Sequence, residues 1–165
     1  MRAGWRKRSS AESRRLTQEI EANRFAIELL APQQLVRPFL FGVPDLAKVL
    51  ALSGSLGVSR EASAHRYVEF HEQPAALVFS MDGAVRYVER RSEFPFISCR
   101  AGHRLADLPS PIDDSGLSAH LEADPREWFS QPCDQPLVIQ TLSQENGYAI
   151  TLLAFDCDGA DSEDD

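Results

Sequence analysis

From Glu19 to Leu30 the apolar residues Ala22, Phe25, Ala26, Leu29 and Leu30 recur with the i, i+3, i+4, i+7, i+8 spacing of a helix that buries one face. Pro32 ends that helix, because the residue before a proline is pushed out of the helical region. A second helix is predicted from about Pro44 to Ser53, with Pro44 at its first position and Leu46, Val49 and Leu50 as its inner stripe. The run Ser53-Gly54-Ser55-Leu56-Gly57-Val58 breaks it. Ser59 then supplies a capping oxygen and Glu61 a first-turn carboxylate for a third helix ending near Phe70. Two helices joined by a short glycine-bearing turn make a helix-turn-helix-like pair, a pattern also common in proteins that never touch DNA.

After Pro74 the period changes to that of strands. Ala76 to Ser80 and Ala84 to Val88 flank Asp82-Gly83, and Leu137 to Leu142 and Tyr148 to Phe155 flank Asn146-Gly147. Both dipeptides tolerate the positive φ of a tight turn, so two antiparallel hairpins are predicted. Phe94 to Ser98 reads as an edge strand, Pro109 to Ser118 as loop, and Asp124-Pro125 as the start of a short helix. The fold class is therefore α+β, with N-terminal helices followed by antiparallel β-hairpins.

Charge and composition narrow the function classes. The net charge of −8 is unevenly spread, with six basic residues and one acid in residues 1–15 and six acids and no base in residues 156–165. The acidic end reads as a disordered, solubilising tail, with a contact to the basic arm as the alternative. The longest apolar stretch, Gly147 to Phe155, is less than half of a membrane span, and no secretory signal follows the basic start. A cytoplasmic protein with no membrane partner is expected. Cys99, Cys133 and Cys157 are odd in number and widely spaced, which suits reduced thiols rather than a disulfide framework or a CxxC metal knuckle.

The chemistry-bearing residues are sparse. None of His65, His71, His103 and His120 is paired at i, i+4, and His71-Glu72 meets Ala75 where HExxH needs its second histidine. His65 and Arg66 read as solvated residues of the third helix. On the first helix, Glu19 falls inside the arc of Ala22, Ala26 and Leu30, with Asn23 four residues on. A carboxylate there either holds a partner or a metal, or decorates the first turn and favours the helix dipole.

The string Glu19-Ile-Glu-Ala-Asn-Arg-Phe-Ala-Ile-Glu-Leu-Leu-Ala-Pro32 resembles the ExxAN-x-FA-x-x-LL-x-P segment of the ImmA/IrrE zinc metallo-endopeptidases. Asp45-Leu46-Ala47, Val58-Ser59 and His65-Arg66-Tyr67 are similar to that family's helix-turn-helix-like element, and the Asp82-Gly83 hairpin, Phe94-Pro95 and the acidic end to its tail region. The resemblance implies that Glu19 matches the third zinc ligand and Asn23 its supporting neighbour. It also implies a division into a peptidase-domain remnant (residues 1–40), a helix-turn-helix-like unit (41–73), a hairpin region (74–155) and the tail (156–165). The HExxH helix, which supplies two histidines and the general base, has no counterpart in the sequence. Catalytic zinc takes three protein ligands, so the chain is expected to bind no zinc of its own and to be inactive alone. The family cuts regulatory or repressor proteins in stress and mobile-element control, which makes such a protein the expected target. Sparse basic residues on the second and third helices make DNA an unlikely partner. A first helix left without its neighbour is expected to expose Phe25 and Leu29, or Ile27 on the other side, and to make the chain dimerise through this helix or be poorly soluble.

Overall fold

A computed structural model describes residues 10–156; the basic residues 1–9 and all of the predicted tail except Asp156 lie outside the described residues. The first helix, α1 (Ser10–Leu30), starts nine residues before the sequence pattern suggested and ends before Pro32 as predicted. A short helix α2 (Gln33–Val36) and a 3₁₀ turn (Arg37–Phe39) follow, neither of which had a periodic signal long enough to read.

The predicted second and third helices are α3 (Leu46–Leu56) and α4 (Arg60–Phe70). Two details differ from the sequence reading. Asp45, not a residue before Pro44, caps α3 by accepting from the Ala47 N–H at 2.7 Å, so Pro44 precedes the cap. The serine–glycine run does not break α3, which continues to Leu56 and stops at Gly57 in the left-handed conformation, the position where a glycine costs least. Ser59 caps α4 through the Ala62 N–H at 3.1 Å, as predicted.

Strands β1 (Ala75–Met81) and β2 (Ala84–Arg90) meet at Asp82-Gly83, both with positive φ. A short strand β3 (Leu121–Ala123) and helix α5 (Pro125–Trp128), capped by Asp124, precede strands β4 (Leu137–Ser143) and β5 (Tyr148–Phe155). The fold is α+β, but the two hairpins are not separate units. β1 pairs with β5, giving one antiparallel sheet in the order β2-β1-β5-β4-β3. The two turns dock side by side, with Asp82 N–H donating to the Gly147 carbonyl at 2.8 Å. Gly147 has a positive φ of 76°, which favours glycine, and a side chain there would also push the Asp82 carboxylate aside. The predicted edge strand at Phe94 to Ser98 is instead loop, held by a single bridge from Ile97 to Phe129, because Phe94 and Ile97 turn inward to cover a sheet face.

Alternation along β1 divides the core. Leu77 and Phe79 join Leu142, Ile150 and Leu152 against Leu46, Leu52, Tyr67 and Val68 of the helices. Ala76 and Val78 join Leu137, Ile139 and Leu153 against Phe94, Trp128 and Phe129. Both faces of the sheet are thus covered, one by α3 and α4, the other by the loop-rich segment. Gln140 joins strand to helix: its amide oxygen accepts from the Leu46 N–H at 2.7 Å, satisfying a first-turn donor of α3 that the core encloses.

Candidate functional site

α1 stands apart from that core. At 1.5 Å per residue it is about 31 Å long, yet it makes only sparse contact with other elements. Ile27 is half-buried on the side facing α4, whereas Phe25, Leu29 and Leu30 are 63%, 64% and 57% exposed. Ala22 and Ala26 are exposed between them. The apolar stripe that the sequence assigns to a buried face is therefore open to solvent, and Glu19 and Asn23 are exposed beside it. The Glu19 carboxylate makes no hydrogen bond or ion pair with the described residues.

Behind α1 lies a cavity of about 510 Å³, lined by Asn23, Arg24 and Ile27 on the α1 side and by His65, Glu69 and Glu89 on the body side. Its walls are built by two tandem residues of α4. His65 stacks on Phe79 and Tyr87 with ring centroids 4.9 and 5.9 Å away. Its Nδ1 lies 3.5 Å from the Glu89 carboxylate and its Nε2 3.1 Å from the Tyr87 hydroxyl. Tyr87 in turn donates to Glu61 at 2.6 Å, and Arg86 pairs with the same carboxylate at 3.0 Å. The hydrogen bond from His65 holds the Glu89 carboxyl below its ordinary range against the opposing effect of partial burial, with the charges of His65 and Arg24 adding to the shift. Burial, then the bond to Glu61, pushes the Tyr87 hydroxyl well up.

Arg66 overturns the expectation of a solvated helix face. It is 7% exposed. Its Nε donates to the Ala31 carbonyl at 2.9 Å, its Nη1 pairs with Glu69 at 2.6 Å, and its guanidinium lies 4.3 Å over the Phe70 ring. Tyr67 is fully buried, and its hydroxyl accepts from the Asp45 N–H at 3.1 Å. Burial raises that hydroxyl's pKa to about 12. His71, at the C-terminal cap of α4, is 1% exposed and accepts the Gln73 N–H on Nδ1; burial lowers its pKa.

The other two histidines lie apart from this cluster. His120 contacts the Pro44 carbonyl at 3.3 Å, and His103 sits in an exposed turn. Among the described residues no three of His, Cys, Asp and Glu gather as a metal-holding group. Sequence reasoning found α1 and its ridge but missed the latch behind it, namely Arg66, Glu89, Tyr87 and Glu61. The adjacent His65-Arg66 pair was the only available signal, and helical periodicity cannot tell a buried arginine from a solvated one. Among the described residues no helix is long and apolar enough to cross a membrane. Comparison with models of protein families finds no match to the chain, and no curated protein matches it.

Proposed function

We propose that the chain is the C-terminal part of a cytoplasmic zinc metallo-endopeptidase of the ImmA/IrrE type, directed at a regulatory or repressor protein and inactive without a segment that carries HExxH. One observation carries the reading: α1 leaves Phe25, Leu29 and Leu30 exposed, on the helix whose residues resemble the third-ligand segment. Contiguous exposed apolar surface marks a binding face. Glu19 is exposed with Ala22 and Ala26, where an added helix reaches the carboxylate and covers Phe25 and Leu29 together, while Asn23 borders the cavity behind α1.

A second reading rests on the same ridge. A protein-interaction module that uses α1 against another protein or a second copy needs no zinc. DNA binding fits less well, because Arg66 and Tyr67, which a groove-reading α4 needs outward, are enclosed in the protein.

The test compares the chain with a longer form that supplies an HExxH helix N-terminal to Ser10. The expected result is no peptidase activity and no tight zinc site in the chain alone, with both present in the longer form and both lost on Glu19→Gln. Tight, stoichiometric zinc binding by the chain alone that survives Glu19→Gln sinks the peptidase reading. A longer form that stays inactive while the chain self-associates through α1 favours the interaction module, with sedimentation as the readout.

A further inference from the structure

We infer that Arg66 is a positioning residue: it fixes the angle at which α1 leaves the body of the protein, and so where Glu19 and Asn23 stand. The inference begins with the end of α1. Its last turn contains no basic residue and does contain Glu28, although a helix C-terminus favours a cation. The Ala31 carbonyl lies just past this end, and Pro32 after it stops the helix from continuing. Arg66, from a helix more than thirty residues on in sequence, supplies both the donor and the charge.

A buried arginine held this way has little freedom. The Nε bond to Ala31, the Nη1 pair with Glu69 and the Phe70 ring beneath the guanidinium restrain three sides of one planar group. Ile27 is half-buried, Arg24 reaches Glu89 only through its charge, and a cavity of about 510 Å³ separates the two walls. The helix is a lever pivoted at Ala31. Glu19 lies twelve residues from the pivot, about 18 Å along the axis, so a tilt of about 10° at Arg66 carries its carboxylate about 3 Å. Misplacement of about 1 Å is already costly to a ligand or catalytic group. That consequence for a partner rests on the reading of α1 given above; the pivot itself does not.

Spin labels at Glu21→Cys on α1 and Ser55→Cys on α3, with Cys99, Cys133 and Cys157 replaced by alanine, measure the angle directly. The expected result is a single narrow distance distribution that broadens in Arg66→Met, broadens less in Arg66→Lys, and stays narrow in Glu69→Gln, which keeps the bond to Ala31. Thermal unfolding on the same samples separates a loosened lever from a damaged core, and Arg66→Lys serves if the methionine variant does not fold. An unchanged distribution in a folded Arg66 variant overturns the inference. If the lever loosens but binding of an HExxH-bearing segment is unaffected, the pivot stands and the reading of the ridge fails.

Discussion

α1 and α4 are both read as helices from the sequence, yet they meet opposite surroundings. α4 buries Ala62, Ser63, Ala64, Arg66, Tyr67 and Val68 between α3 and the sheet. α1 has a clear apolar stripe and leaves it in water. A stripe therefore states what a helix can bury, and the presence of a neighbour decides whether it does. For α4 the neighbour comes from strands that pair across the chain, β1 with β5. For α1 no described element fills that role, so Phe25, Leu29 and Leu30 stay exposed.

The contrast is broken most sharply by truncating one leucine from each region. Leu152 is 1% exposed in the helix-facing core and Leu29 is 64% exposed. Leu152→Ala is expected to cost about 2–5 kcal/mol in urea unfolding, and Leu29→Ala no more than about 0.5 kcal/mol. Equal costs would show that the ridge is covered in solution, and sedimentation of the same samples would then reveal a second copy.

Gln140 tests how firmly the α3–α4 layer is joined to the sheet. Gln140→Ala leaves the Leu46 N–H enclosed without its acceptor and is expected to cost about 1–3 kcal/mol. A neutral result would mean that water reaches the α3 N-terminus. Ser59→Ala removes the α4 cap and is expected to cost about 1 kcal/mol.

The smallest effects are electrostatic, and they separate the two regions by pH. Burial lowers the folded pKa of His71 below its usual 6.5, so between the two values the unfolded chain holds the extra proton. Stability then falls as pH drops below 6.5 and is unaffected by His71 above it; His71→Gln should flatten that slope in pH-dependent unfolding. Glu89 has the same sign in a lower pH window. Its folded pKa lies below the usual 4.5, so its contribution is full above pH 4.5 and is lost as pH falls toward the folded value. Its side chain is 51% exposed, so solvent screens the effect and Glu89→Gln should change little. A large Glu89 effect would mean that the cavity behind α1 is closed to water.

Much of this was legible without coordinates. Ser59 and Asp124 act as caps, Asp82-Gly83 and Asn146-Gly147 turn the chain, and β5 spans Tyr148–Phe155 as its flanking turn dictates. These features are local: a cap or a positive φ depends on a few neighbouring residues. The α1 stripe, with Glu19 and Asn23 beside it, was also readable, since helical spacing alone generates it. What required the tertiary structure was every pairing between distant segments. The joining of two hairpins into one sheet, the inward turn of Phe94 and Ile97, the Gln140 link to α3, and the burial of Arg66 against Ala31 all connect residues remote in sequence. Local preferences are set by short-range sterics and hydrogen bonds, whereas a buried arginine or an open apolar face follows from which surfaces meet. That is decided by the packing of the whole chain, because a side chain is enclosed only when some other segment covers it.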